Sequence, residues 1–520
     1  MAEVLERARP VYRLRFLLAA LVVFVTAVAA RLVPLLRGGG LRGYGSYDDS
    51  VYFAASLGWL HGRWPYRDFL FLQPPGILML LSPYAALAHW FGDSGGMAAA
   101  RLAWIVAGGL TTVGLVVLLW RTSRTAAVVA GLLYAVSWPA AMVERVTDLE
   151  GPQNLLLVLA LILLRPFGPE HPADPEHQRG RGWQLARLAP LAAGLAVGLA
   201  CSVKIWEIAL IVVLAGWLAV ARRLRDLAWF GLGVVAALAA VCLPFFLTAH
   251  RQMWTMVVAD QLNRPRHPGW AKRLVFTTGT SHLLSIDRIG IGLVAVLVII
   301  AIALVLAWRR PEGRLLAILY LVAVGVLLQS PPTYVHYGSF VAPMQAMLLG
   351  LATSEGVRLS RRIPSVTGGR LVAGTLAAAI GGMLVLLAYA PATVAAGHPP
   401  PTGRLDRLTD DFHGCISYDE PSQALSLDVV SRDLDRGCPF VVDLGAASGW
   451  NRLHPKVVGP PTRTESIALD YLRNASASLL FRYPPGPHGE SVNIPGRWSL
   501  LARDHRVRLV APSTGGGGTS

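Results

Sequence analysis

The chain has 520 residues, of which 54% are hydrophobic and 15% charged, with a formal net charge of +16. That much apolar surface exceeds what a soluble core of this length buries, so the composition excludes a soluble globular protein and indicates a polytopic membrane protein. The positive charge comes mostly from arginines between apolar runs, the pattern of orientation signals and anionic-lipid contacts rather than of a nucleic-acid footprint.

The first apolar run, 16–36, follows RARPVYRLR without a small-residue cleavage site, which predicts a retained span. Next comes Tyr44–Gly76, YGSYDDSVYFAASLGWLHGRWPYRDFLFLQPPG. It joins the adjacent acids Asp48 and Asp49 to aromatics of the kind that settle at headgroup level. Acids beside a membrane are costly unless they pair or perform a task, so this stretch is either a polar connection or a working loop. Asp is also a favoured helix N-cap; a cap of a 50–61 helix suits Asp49 better than Asp48.

Further runs lie at 99–120, 125–143, 152–165, 188–203, 205–221, 228–249, 288–308, 315–330, 338–354 and 371–390. A span needs roughly 20 apolar residues, so 152–165 and 188–203 lean on their flanks. The run 74–90 is interrupted by Pro83 and ends in His89 and Trp90. Charge decides how to count it. If it does not cross, the arginine-bearing loops 121–124, 166–187, 222–226, 309–314 and 355–370 share the side of Arg7, Arg9, Arg13 and Arg15, as the positive-inside bias requires. It is then an interfacial or re-entrant helix. About eleven spans remain, with the N-terminus cytoplasmic and the tail outside.

The same parity puts several polar features beside Asp48. They are the 144–151 loop with Glu144, Asp148 and Glu150, the Lys204/Glu207 junction, the 250–287 loop with Asp260, Arg264 and Arg266, and the 329–337 loop with His336 and Tyr337. Lys204 is positioned either to meet an anion or to be neutralised by Glu207 one turn later. Asp148 and Glu150 are acceptor contacts or solvated loop acids, and His336 and Tyr337 packing residues or substrate contacts.

Beyond Ala390, Pro399–Pro401 mark a linker into a polar tail. PSQALSLDVVSRDLDRG predicts an amphipathic helix, CPFVVDLG a buried strand and TESIALDYLRNASASLLFR another helix, hence a small α/β domain. Cys415 and Cys438 bracket the first of these helices and can be bridged if their Cα atoms come within about 7 Å, provided the tail faces an oxidising compartment. Asn474-Ala-Ser fits an acceptor sequon inside a predicted helix. The end, 512–520, reads as disordered. The expected domains are therefore 1–390 in the membrane, with 37–98 as its first outer loop, and 391–511 outside it.

YDDSVYFAASLGWLHGRWPYRDFLFLQPPG resembles the first outer loop of GT-C glycosyltransferases, in particular the protein mannosyltransferase and lipid A aminoarabinose transferase group (family 39-like). GLAVGLACSVKIWEIALIVV, TDLEGPQN and TYVHYGSFVAPM are similar to later elements of that group. The resemblance implies an all-α polytopic GT-C fold with interfacial helices, carrying the small extracytoplasmic α/β tail. It implies transfer of a hexose or pentose, mannose among them, from a polyprenyl-phosphate donor to an outer-face glycan, lipid or protein of the cell envelope. Carried over by position, Asp48 is the general base, Asp49 its helix-opening neighbour, Asp148 or Glu150 the second-loop acid and Lys204 the cation for the donor phosphate. The group's Glu-Lys-Pro is Leu72-Gln73-Pro74 here, so a cation is missing at Gln73, for which Arg63, Arg67 or Arg264 can substitute. Such donors require no metal, although paired acids such as Asp48 and Asp49 can hold a divalent ion. The other reading of the composition is a transporter or flippase of lipid-linked sugars. Transporters gather polar residues at the midplane and often show internal repeats; here the polar residues gather at one rim.

Overall fold

The computed structural model describes residues 2–164, 181–264, 268–283, 289–362, 365–444, 471–472, 474–481, 498–504 and 507–512. Residues 166–180 of the predicted 166–187 loop, Arg266, most of the proposed third tail helix and the 513–520 end lie outside these, and 181–187 begin a helix.

Every long apolar run forms helix. The chain opens with α1 (Ala2–Arg37), α2 (Tyr47–Leu60), α3 (Gly76–Ala86), α4 (Ala88–Trp120), α5 (Arg124–Ala135), α6 (Trp138–Glu144) and α7 (Glu150–Leu164). It continues through α8 (Arg181–Val203), α9 (Glu207–Val220), α10 (Leu224–Trp254), α11 (Asp260–Asn263) and α12 (Trp270–Thr277). Then come α13 (Ile289–Trp308), α14 (Pro311–Gln329), α15 (Ala342–Ser360) and α16 (Val366–Thr393). The 250–287 stretch, expected as a loop, is largely helical: α10 runs into it, and a π-helical turn, Thr255–Ala259, joins α10 to α11.

Among the described residues, five helical segments are long and apolar enough to cross a membrane: Tyr12–Arg37, Ala88–Trp120, Leu224–Asn263, Gly290–Trp308 and Pro311–Gln329. A sixth is reached if α5 and α6, bent by 59° at their junction, count as one. The eleven spans expected from sequence are thus not all matched by length and composition. The runs 152–165, 188–203, 205–221 and 371–390 give the shorter apolar helices Glu150–Leu164, Leu188–Val203, Glu207–Val220 and Ala377–Tyr389. Polar groups set several of these limits, with Glu150 and Glu207 opening α7 and α9. The 74–90 run is no span either. Helix α3 has 11 residues, roughly 16 Å at 1.5 Å per residue. Gly92, at φ +74°, then breaks the start of α4, a conformation open to glycine because it has no Cβ.

The chain divides into two compact units, residues 1–34, 103–243 and 262–394 in one, and 35–102, 244–261 and 395–520 in the other. In the first, α15 packs on α5 and α7 on α8 around a core that includes Leu115, Leu161, Leu319 and Leu351. Helices α8 and α10 approach backbone to backbone. A Cβ on Gly194 would lie 2.0 Å from the Phe230 carbonyl oxygen, and one on Gly233 2.2 Å from that of Leu191. Small residues at such crossings let apolar helices gain dispersion contact where no hydrophobic drive exists between them.

In the second unit the first loop and the tail are joined. Tyr44 and His398 exchange backbone hydrogen bonds of 2.9 and 3.1 Å and stack their rings, and the Tyr47 hydroxyl donates to Asp443 at 2.7 Å. The tail contains α17 (Arg404–Asp410), β1 (Ile416–Tyr418), α18 (Pro421–Ser426), α19 (Val429–Asp435), β2 (Ala477–Phe481), β3 (Trp498–Asp504) and β4 (Val507–Pro512). Its sheet runs β1-β2-β4-β3, with β1 and β2 parallel and the other pairs antiparallel.

Three local expectations for the tail change. The 421–437 helix is two short helices, broken where Asp428 takes a left-handed conformation and its carboxylate accepts from the Ser94 amide at 2.8 Å. Residues 438–443 form no strand; Phe440 instead packs edge-on against Phe69, 5.4 Å between centroids. The end of the third predicted helix is β2, its Ser478 and Leu479 paired with β4 and its Ala477, Ser478, Leu479 and Leu480 all buried. Asn474 consequently sits in an exposed turn before β2. Cys415 and Cys438 form a disulfide with Cα atoms 5.7 Å apart.

Candidate active site

In the second unit, helix α2 carries the paired acids. Its cap is Ser46, whose Oγ accepts from the Asp49 amide at 3.2 Å; neither aspartate caps it, contrary to the expectation for Asp49. Most of its residues, from Asp49 to Gly58, are buried, so its buried polar groups must be satisfied. Asp49 has no exposed surface and is ion-paired with Arg101, equally buried, on α4. Arg101 also donates to the carbonyls of Leu41 at 2.7 Å and Gly43 at 2.6 Å. Asp49 is therefore the anchor of a buried pair. Asp48, one residue earlier, is half-buried.

Tyr44 lies among three carboxylates. Its hydroxyl bonds Glu420, and Asp49 and Asp48 are near enough to act on it; burial first, then Glu420, pushes the phenol well above its ordinary range. Glu420 comes from the tail, just before α18, and is fully buried.

Of the substitutes considered for Gln73, Arg67 has its cation engaged elsewhere. Arg67 is exposed and binds its neighbour Asp68 through two contacts of 2.8 Å, which hold that carboxyl below its usual range. The Arg63 amide closes the end of α2 on the Gly58 carbonyl at 2.9 Å. Gln73 contributes its carbonyl, which accepts from the Tyr66 hydroxyl at 2.6 Å. Arg264 follows α11, half-buried.

The first unit holds a second cluster. Lys204, in the α8–α9 connection, pairs with Glu150 at the start of α7, and both are almost fully buried. Its Nζ lies 3.8 Å from the Trp206 ring centroid and 4.3 Å from that of Tyr337. The ammonium is thus neutralised by Glu150 and not by Glu207, which instead accepts from Gln153 Nε2 at 2.7 Å. His336 belongs to the same cluster. Its half-buried ring stacks edge-on against Tyr337, 4.8 Å between centroids. Loss of hydration, partly opposed by Glu150 and reinforced by Lys204, pushes the imidazole down to about 4.

Asp148 is buried, and its carbonyl accepts from Trp104 Nε1 at 2.8 Å. Glu144, expected as an outer-loop acid, is fully buried at the end of α6. It takes a 2.6 Å hydrogen bond from Arg31 Nε on α1, and the Tyr134 hydroxyl donates to it. Asn154 Nδ2 extends the network to Tyr134 and the Ser339 carbonyl at 3.1 and 3.0 Å.

Of the residues singled out in the sequence, the structure brings Glu150, Lys204, His336 and Tyr337 together. Asp48 and Asp49 belong to the other unit, with Arg63, Arg67 and Gln73. Arg31, Arg101 and Glu420 were missed. A signal existed for the first two, since an arginine inside an apolar run has a partner by default. Nothing local marks Glu420.

The helical membrane fold is that of a GT-C glycosyltransferase, and the solved structures agree on it. ArnT from Cupriavidus metallidurans, bound to undecaprenyl phosphate, superposes with a TM-score of 0.57 at 16% identity, covering 98% of this chain and 99% of its own. The archaeal oligosaccharyltransferase AglB from Archaeoglobus fulgidus, in complex with an inhibitory peptide and a dolichol-phosphate, gives 0.54 at 13%, covering 89% and 69%. The family model for glycosyltransferase family 87 matches residues 71–331, half of the chain, and the protein belongs to that family. The GT-C resemblance read from the sequence is borne out by this family and by the structural matches. No curated protein sequence matches the chain.

Proposed function

We propose that this membrane glycosyltransferase transfers a sugar from a polyprenyl-phosphate donor to a hydroxyl of an extracytoplasmic cell-envelope acceptor, with Asp48 as general base. The observation that carries the reading is the division of labour on the first turn of α2. Asp49 is committed to Arg101, while the half-buried Asp48 beside it lies at the amide end of the helix. The helix end stabilises the carboxylate, which accepts the acceptor's proton as the new glycosidic bond forms. The bond from the anomeric carbon to the phosphate oxygen breaks at the same time, and the lipid phosphate departs with its electron pair. A cation beside that phosphate offsets the charge it gains.

ArnT holds undecaprenyl phosphate and AglB a dolichol-phosphate, which supports a lipid phosphate as the donor class here. The arginine-bearing loops support an N-terminus in the cytoplasm and the 391–511 region on the outer side of the plasma membrane. In this reading the transfer step uses no metal.

The test is a reconstituted assay with radiolabelled polyprenyl-phosphate sugars. Asp48→Asn is expected to lower turnover by about 10²–10⁴-fold, the range for a positioned base, with an unchanged unfolding midpoint. Undiminished transfer by this variant rules Asp48 out as the base.

A further inference from the structure

The tail reaches the first loop through one fully buried acid. Glu420 stands between β1 and α18. Pro421 follows it, and a residue before proline is kept out of the helical region; Glu420 is accordingly extended, at φ −144° and ψ 126°. On its other side the Asp419 amide donates to the Leu479 carbonyl of β2 at 3.2 Å. The backbone is thus fixed on both sides of the side chain. Its carboxylate accepts from the Ser422 hydroxyl at 3.1 Å and from the Tyr44 hydroxyl. Two hydroxyl donors favour the ionised form.

Tyr44 is held just as closely. Its backbone pairs with His398 in both directions, and the two rings stack with 5.7 Å between centroids. Arg101 takes the carbonyls of Leu41 and Gly43, and Ser46 caps α2. The short segment that delivers Asp48 to the first turn of α2 is therefore gripped by α4 on one side and by the tail on the other. Asp48 is near enough to the Tyr44 phenol to act on it.

Attachment of the tail does not depend on this contact. Asp428 accepts from the Ser94 amide at 2.8 Å, and Asp93 from the Ser431 amide at 3.0 Å, so α4 and α19 cap one another. Both α18 and α19 pack on α2. At the far end of α2, His61 pairs with Asp435 at 3.2 Å. Where holding is all that is needed, apolar residues of the same volume serve as well as a buried carboxylate. A phenol bonded to a carboxylate adds direction, because the hydroxyl must point at its acceptor.

We propose that Glu420 is a positioning residue of the transfer site, acting through Tyr44 to hold Asp48 in register with the acceptor hydroxyl. The tail is then part of the working site and not only a domain attached to it. This assignment rests on the reading of Asp48 as general base.

The experiment is the reconstituted transfer assay on the full-length protein, with kcat and the KM for the polyprenyl-phosphate donor measured separately and the unfolding midpoint recorded for each variant. Glu420→Ala is expected to lower kcat by about 10–100-fold, the scale on which a misplaced reacting group costs rate, with an unchanged donor KM. Tyr44→Phe keeps the ring and its stacking and should lose about 10-fold in kcat through the missing bond. Glu420→Gln retains an oxygen that accepts from Tyr44 and should restore kcat to within about threefold of wild type. Because both residues serve one contact, the double variant Tyr44→Phe/Glu420→Ala should be no slower than the slower single variant. Asp435→Asn loosens the tail at the other end of α2, roughly 20 Å along the helix from Asp48, and should keep the wild-type kcat. If Asp48→Asn transfers as fast as wild type, the general-base reading fails and this assignment with it. If Asp48→Asn is slow but Tyr44→Phe or Glu420→Ala keeps the wild-type kcat, the positioning role alone is overturned. Additive losses in the double variant, or an equal loss in Asp435→Asn, overturn it as well. Should Glu420→Ala not fold, Tyr44→Phe decides: a lowered kcat at an unaltered midpoint supports the assignment, and an undiminished one overturns it.

Discussion

Arg101 spends its whole guanidinium inside the fold, on the Asp49 carboxylate and the carbonyls of Leu41 and Gly43. Charges taken from water in this way are tolerated only because each is matched, and removing one partner strands the other. Asp49→Ala is therefore expected to destabilise the protein by about 3–5 kcal/mol, read as a lower denaturation midpoint in detergent. Replacing Asp49 and Arg101 together with apolar residues of similar volume should recover much of that loss. Asp48→Asn keeps the size of the side chain and should act chiefly on turnover. The two neighbouring aspartates thus have separate signatures, one in stability and one in rate. Doublets of this kind are easy to see in a sequence, but which member is structural depends on the helix phase relative to α4.

Helix α4 meets α1 and α6 at a point that allows no side chain. A Cβ on Gly108 would lie 2.3 Å from Glu144 Oε2 and 2.5 Å from Arg31 Nε, inside the buried ion pair that ties α1 to the end of α6. A methyl group there must push the pair apart or displace the helix. Gly108→Ala is expected to cost about 1–3 kcal/mol through overpacking, despite the gain in helix propensity. Its unfolding midpoint, compared with that of Gly216→Ala, checks this, because nothing lies within 4 Å of a Cβ on Gly216. The helices themselves were legible from apolar runs and arginine-rich loops. Their ends were less so. The Ala135–Trp138 bend and the breaks at Gly92 and Asp428 follow from packing and local backbone conformation, which an apolar average does not register.

Across the molecule, two partly buried histidines make stability depend on pH. His336 titrates near 4 in the fold against 6.5 when free, so between those values the unfolded chain binds the proton and the folded chain does not. Stability attributable to this group is complete above about 6.5 and declines as pH falls toward 4. His282 shifts the same way, also to about 4. The unfolding midpoint should therefore drop between pH 7 and pH 5, and His336→Gln should flatten part, but not all, of that slope. By itself the sequence determined the class of the chain: apolar runs of spanning length, basic connections and an aromatic loop bearing two acids follow from one-dimensional spacing, because lipid demands internally satisfied backbone wherever the chain crosses. Only the tertiary structure decided the partners. Asp49 with Arg101, Lys204 with Glu150 and Glu420 with Tyr44 join residues 52, 54 and hundreds of positions apart. Burial of charge rewards whichever opposite group the packed helices deliver, and spacing along the chain carries no record of that choice.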